Sequence, residues 1–316
     1  MKRIALGTTG LHIHPLVYGT LPLGPLQAAV TPEEGGRLIR YALERGVNLL
    51  DTAELYQSYP HIRSALDGYR GEVVIATKTH ANDAQTARAH VERALRELGR
   101  ETLDIVHLHG ARVADPFTER PEIIAELVKM KGEGKIRHVG LSSHYVCAIR
   151  KAAAFPEIEV IHPLINRTGM GIIDGTAFEM ASAIAACAKA GKGVYTMKAL
   201  AGGNLISTAR DSLRFVLGLD GVHGVAVGML SEGEIDGNIA LFEQGVAEEG
   251  LWSKLEGRRR KLRIMEAFCK GCGFCVPACT NGALELVNGK AKVDEGECIL
   301  CGYCGAACPE FMIRVV

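Results

Sequence analysis

Apolar, β-branched runs recur along the first three quarters of the chain, beginning at Leu16, Asn48, Val73, Asp104, Ile136, Val160, Gly193 and His223. Each is followed by a stretch whose apolar positions repeat at helical spacing. The runs are continuous rather than alternating, which suits strands covered on both faces, as parallel strands with helical crossovers are. Independent signals mark the helices. Thr31-Pro32-Glu33-Glu34 can close a capping box with proline in the first turn, and Gly46 is placed to end that helix. Ala87, Val91, Leu95 and Leu98 form one stripe before Gly99, with Arg88, Glu92, Arg93 and Arg96 towards water. Eight βα units predict an α/β fold, a closed (β/α)8 TIM barrel over residues 1–245. An open doubly wound sheet would carry a Gly-rich turn after its first strand, and none is present.

Composition changes the picture at the C-terminus. Of ten cysteines, only Cys147 and Cys187 precede residue 269. The other eight form Cys269-x2-Cys272-x2-Cys275-x3-Cys279 and Cys298-x2-Cys301-x2-Cys304-x3-Cys308-Pro309. Clustered thiols of this spacing wrap iron-sulfur clusters, and in two-cluster ferredoxins the fourth cysteine of each run serves the other cluster. The expected ligand sets are therefore Cys269, Cys272, Cys275 and Cys308 for one [4Fe-4S] cluster, and Cys298, Cys301, Cys304 and Cys279 for the second. Zinc is the alternative, but its C-x2-C units usually stand apart as two pairs. Residues 268–316 resemble a bacterial two-cluster ferredoxin, although Thr280 follows the fourth cysteine of the first run where a proline is usual. Residues 246–267 read as a helical linker, and its run Arg258, Arg259, Arg260, Lys261 and Arg263 as a solvated helix face, with docking of an acidic electron carrier as the alternative.

Charge excludes other classes. Thirty-six Lys plus Arg balance thirty-six Asp plus Glu, which argues against nucleic-acid binding. No apolar run reaches the ~18 residues of a membrane span, and the first residues lack a signal-peptide core. A cytoplasmic protein without membrane attachment is the expectation.

In a barrel of this kind chemistry sits at the C-terminal strand ends. The second run ends in Asp51-Thr52-Ala53-Glu54-Leu55-Tyr56, the third in Thr77-Lys78-Thr79-His80 and the fourth in His107-Leu108-His109. A phenol is a weak acid, with a reference pKa of ~10, and a nearby ammonium favours its ionised form. Lys78 is the candidate ammonium, Asp51 would hold it in place, and His109 could hydrogen-bond a substrate oxygen. Tyr59 and His107 are neighbours expected to pack rather than react.

These motifs resemble the aldo-keto reductase family, whose Asp, Tyr, Lys and His tetrad matches Asp51, Tyr56, Lys78 and His109, and whose basal hairpin matches LGTTGL. The resemblance implies hydride delivery from a nicotinamide cofactor to a carbonyl carbon while Tyr56 protonates the oxygen. It weakens at the cofactor. Ser142 and Ser143 stand for a serine-asparagine pair, His162 for a glutamine, and Met197 for the tyrosine that stacks on nicotinamide. Lys198 could meet a pyrophosphate. Gly228 and Glu234 replace a lysine and an arginine that grip the 2'-phosphate of NADP, so NAD is favoured over NADP, and binding of neither stays open. Asn238 matches an adenine-side asparagine. Hydride moves electrons in pairs and each cluster takes one, so a converter is needed. No flavin motif stands out, and a flavin is kept open. The resulting expectation is an iron-sulfur oxidoreductase acting on a small carbonyl or hydroxyl compound, with an external electron carrier as a further partner. The alternative is an electron-transfer or redox-sensing protein whose barrel is a docking scaffold.

Overall fold

The computed structural model describes residues 3–111, 113–245, 249–310 and 312–316. A hairpin of β1 (Ile4–Ala5) and β2 (His12–Ile13) opens the chain. Eight strands then close a barrel: β3 (Leu16–Gly19), β4 (Leu49–Asp51), β5 (Val74–Thr79), β6 (Leu103–His109), β7 (Ile136–Ser143), β8 (Val160–Pro163), β9 (Gly193–Thr196) and β10 (Gly224–Gly228). Every neighbouring pair is parallel, and β10 closes on β3. The strand starts fall within one residue of those read from the sequence.

Alternation along the strands decides what faces the barrel axis. Leu6 and Ile13 of the hairpin pack with Val17, Leu49, Val74, Ala76, Ile105, Val160 and Tyr195 as the barrel's inner core. Two residues further along the same strands the inward positions become Asp51, Lys78, His107 and His162, because side chains two apart share a face. The floor is apolar and plugged by the hairpin, whereas the mouth is polar. Outward positions such as Leu50, Ile75, Val106 and Leu108 join the larger core beneath the helices. The first helix, Pro32–Glu44, carries the capping box of Thr31 and Glu34, and Asp83 caps the helix Ala84–Leu98, which Gly99 ends at φ +63°.

The domain boundary expected at 245/246 lies outside the described residues. Of the expected linker, helix covers Glu249–Glu256, with Trp252 buried. Then β11 (Leu262–Ile264) pairs with the final strand, so it belongs to the tail's sheet. The tail continues with β12 (Leu284–Val287) and β13 (Lys290–Val293), a hairpin turned at Asn288 and Gly289, both at positive φ, and ends in β14 (Ile313–Val315). Its small core includes Leu262, Leu284, Ala291, Leu300, Ile313 and the two buried cysteines Cys275 and Cys304.

The tail sits on the barrel mouth. Ile299 packs with Leu164 and Met197, and Tyr303 with Leu26, Ala53 and Tyr56. Asn204 donates to the carbonyl of Cys298 at 2.8 Å. Among the described residues no helix is long and apolar enough to cross a membrane.

Candidate functional site at the barrel mouth

Asp51 and Lys78 come from adjacent strand ends and form a buried ion pair. The ammonium donates to both carboxylate oxygens at 2.7 Å and to the carbonyl of Thr52 at 2.8 Å. Burial opposes the charge on Lys78, and Asp51 offsets that cost. Asp51 is held in turn by the hydroxyl of Tyr195, which donates to Oδ1 at 2.9 Å and lies 2.7 Å from Nε2 of His107. His162 stacks on Tyr195 with ring centres 4.2 Å apart, and its Nε2 is 3.6 Å from Asp51. His107 is thus a supporting group, as expected.

Tyr56 reaches the same point from a single 3-10 turn, Glu54–Tyr56, that Gln57 ends at φ +53°. Ser58 pins this turn by bridging Thr20 and Thr52, each at 2.8 Å. The Tyr56 ring lies 5.0 Å from the Lys78 ammonium and meets the His109 ring edge-on at 6.4 Å. The expected tetrad is therefore brought together. Its electrostatics differ from expectation in one respect. Burial first, then Tyr303 and Asp51, push the Tyr56 phenol well above its ordinary range rather than below it. Lys78 spends its charge on Asp51, so the phenol stays protonated. His109 is held neutral, chiefly by burial and then by Lys78.

Beside this pair runs a groove in two connected parts. The inner part, about 160 Å³, is lined by Asp51, Tyr56, His162, Met197, Lys198, Gly228 and Arg260 among others. The outer part, about 360 Å³, shares Gly228 and Arg260 with it and reaches Glu234, Asn238, Trp252, Arg258 and Arg259. Ser142 and Ser143 are fully buried and do not line either part. Lys198, which lines the inner part, adopts a left-handed backbone conformation, φ +63°, which is strained for a residue with a side chain.

Two readings from sequence need correction here. The linker arginines are not on a helix: helix stops at Glu256, and Arg258 and Arg259, exposed as expected, line the groove together with half-buried Arg260. Nor is Glu234 a free carboxylate that would repel a phosphate. It accepts from the backbone N–H of Leu230 at 2.7 Å and pairs with Arg258. The carboxamide oxygen of Asn238 and the indole nitrogen of Trp252 are buried without hydrogen-bond partners beneath the outer part, and Lys198 and Arg260 at the inner part are the cations that would hold a dinucleotide's pyrophosphate.

The cysteines gather as two quartets. Cys269, Cys272, Cys275 and Cys308 surround one small cavity, and Cys279, Cys298, Cys301 and Cys304 another. These quartets fit cuboidal clusters with the crossed fourth ligand. The second quartet faces the barrel, with Cys301 packed near Met197 and Leu164. Cys272 of the first is exposed. Sequence reasoning missed Tyr303, which lies between two cysteines of the second run and reaches His109 at 3.4 Å. It also missed Tyr195 and Trp252. An aromatic residue inside a cysteine motif carried no signal before the docking of the tail was known.

A family model described as Aldo/keto reductase family matches residues 15–211, and one described as 4Fe-4S dicluster domain matches residues 268–312. Barrel and tail together join an aldo/keto reductase fold to a 4Fe-4S dicluster domain. The chain belongs to the aldo/keto reductase family. Among its curated relatives are aldo-keto reductase YhdN of Bacillus subtilis, 29% identical over 52% of this chain and 54% of the relative, and probable aldo-keto reductase 1 of Glycine max, 27% identical over 55% and 58%. The chain thus spans little more than half the length of the curated relatives it matches. Similar solved structures include PA4992 of Pseudomonas aeruginosa, with TM-score 0.66, 27% identity and coverage of 77% and 94%. The holo form of aldo-keto reductase AKR11C1 from Bacillus halodurans shares the fold, with TM-score 0.64, 24% identity and coverage of 81% and 96%.

Proposed function

We propose that the chain reduces or oxidises a small carbonyl or hydroxyl compound at the barrel mouth, with Tyr56 as proton donor and acceptor. The observation that carries this reading is the buried Asp51–Lys78 pair beneath Tyr56 with neutral His109 across from it. In this proposal a nicotinamide dinucleotide bound in the groove would supply or accept the hydride, which is the whole electron pair of the carbonyl–hydroxyl conversion, and the two [4Fe-4S] clusters held by the cysteine quartets would separately exchange single electrons with an external carrier. The chain's own residues do the rest. His109, uncharged, donates a hydrogen bond to the substrate oxygen and fixes its position. Tyr56 stays protonated until that oxygen gains negative charge, and then passes its proton to it. Lys78, locked by Asp51 and Tyr195, stabilises the phenolate left behind without itself giving up a proton. Lys198 and Arg260 hold the phosphates, and the guanidinium of Arg258, by neutralising Glu234, lets the groove accept NADP(H) as well as NAD(H). An external one-electron carrier docks near exposed Cys272, flanked by Phe268 and Phe274.

The test is Tyr56→Phe in anaerobically purified protein, assayed against a panel of small aldehydes and ketones with each nicotinamide and with a reduced one-electron donor. General acid catalysis of this kind contributes about 10²–10⁴-fold, and a loss of that size with unchanged dinucleotide binding is expected. Turnover unaffected by the change removes the reading. The contact of Tyr303 with His109 favours the second reading, a redox-sensing or electron-transfer protein whose own tail closes the mouth. There, Tyr56→Phe leaves function intact while Cys301→Ser abolishes it.

A further inference from the structure

Away from the tetrad, one group of side chains has the composition of a metal centre. Glu54 follows β4, His80 follows β5, and His90 lies on the helix Ala84–Leu98; each offers one ligand atom, and these atoms lie within 4.8 Å of one another. Oε2 of Glu54 is buried and lies 2.9 Å from Nδ1 of His80, so carboxylate and imidazole already meet at ion-pair distance. Ligand atoms around a tetrahedral cation, at metal–ligand distances of about 2.0–2.2 Å, stand about 3.3–3.6 Å apart, so atoms gathered this closely need only small shifts to take up an ion.

The surroundings fix these side chains as ligands are usually fixed. Oε1 of Glu54 accepts from Arg93 at 2.9 Å, which leaves Oε2 as the remaining donor, and Arg93 is itself held by Glu97 at 2.7 Å. Nδ1 of His90 lies 2.8 Å from the hydroxyl of Thr79, which sets the ring's orientation and leaves its other nitrogen available. Such outer partners orient imidazole and carboxylate ligands and raise their basicity. The rings of His80 and His90 stack with centres 5.0 Å apart. All this stands at the wall of a cavity of about 590 Å³ that Glu54 and His80 share with His109 and Tyr303. The His80 side chain is 42% exposed, which gives an ion a path in.

We propose that Glu54, His80 and His90 form a mononuclear site for a divalent first-row cation of the zinc class, open towards the cavity beside His109. Two imidazoles and one carboxylate leave at least one coordination position for water or for an oxygen of a molecule in the cavity. The site is separate from the cysteine quartets and does not depend on Tyr56 acting as a proton donor.

The experiment is zinc binding to the anaerobically purified protein with its clusters in place, dialysed against buffered micromolar Zn2+. Zinc and iron are counted by mass spectrometry, and the zinc environment is read by X-ray absorption. The expected result is one zinc per chain with only nitrogen and oxygen neighbours. His90→Gln and Glu54→Gln lose that zinc with iron unchanged, and Thr79→Val weakens binding about 10- to 100-fold. His80→Asn, at a partly exposed position that keeps the fold, supplies the same loss if a buried variant does not fold. Sulfur neighbours, zinc retained by His80→Asn, or no zinc in the unaltered protein each overturn the proposal.

Discussion

The phenol oxygen of Tyr303 lies 3.4 Å from Nε2 of His109, and Tyr303 is also hydrogen-bonded to Tyr56. A side chain from the cysteine tail therefore occupies the two groups that the barrel offers to a substrate oxygen. Tyr303 begins the short helix Tyr303–Ala306, which contains Cys304, so its place is tied to the second quartet. Two modules share one mouth.

A substrate oxygen competes with Tyr303 for these partners. Tyr303→Phe removes that competition, and a neutral hydrogen bond is worth about 1 kcal/mol net. The expected outcome is a KM about fivefold lower with kcat and iron content unchanged, measured by steady-state kinetics. A higher KM would instead make Tyr303 part of the substrate's binding site.

Docking of the tail needs two close backbone approaches. A Cβ on Gly202, at φ +70°, would lie 1.8 Å from the carbonyl oxygen of Ile299, and one on Gly302, at φ +83°, 2.4 Å from that of Leu26. Gly202→Ala should disfavour the docked arrangement by about 2–4 kcal/mol through overpacking and strain. Hydrogen exchange around Leu26, Ala53 and Met197 should rise while the barrel strands stay protected.

Arg258 covers the charge of Glu234 at the outer groove. Arg258→Ala uncovers a carboxylate where a 2'-phosphate would approach, and losing one charged hydrogen bond costs about 1.5–3 kcal/mol. Fluorescence titration should show the Kd for NADPH rising about tenfold relative to that for NADH. An unchanged ratio would mean that this end of the groove does not select the nucleotide.

The barrel hides histidines that burial keeps neutral. His107 and His162 are held well below the usual imidazole range, and His144 is pushed down to about 3, by burial first and then by Lys198. The unfolded chain takes up these protons near pH 6.5 and the folded chain does not. Stability is therefore full above pH 6.5 and is lost as pH falls from there towards 3, by about 1.4 kcal/mol per pH unit for each histidine. Urea unfolding followed by circular dichroism should be less steeply pH-dependent between pH 6.5 and 4 in His144→Asn, by about one proton's worth.

What could be read from the residues divides along physical lines. Continuous β-branched runs, the Thr31 capping box and the cysteine spacings are local signals, and each depends on neighbours within a few positions. The barrel and the composition of the two quartets were legible for that reason. The tetrad was legible too, because alternation puts Asp51, Lys78 and His109 on one face at strand ends that a closed barrel must bring together.

Long-range placement was not legible. Arg258, Arg259 and Arg260 look like one helix face until β11 pairs with β14 and draws the linker across the groove. Glu234 looks like a repelling charge until Arg258 arrives, and the Tyr56 phenol looks acidic until burial and Tyr303 raise it. The order of residues by itself determined which elements form and which thiols can share a cluster, since those depend on spacing along the chain. Only the tertiary structure decided which charges are neutralised, which mouth the tail covers and which side chains meet across hundreds of residues, because burial and Coulomb energies depend on distance in space.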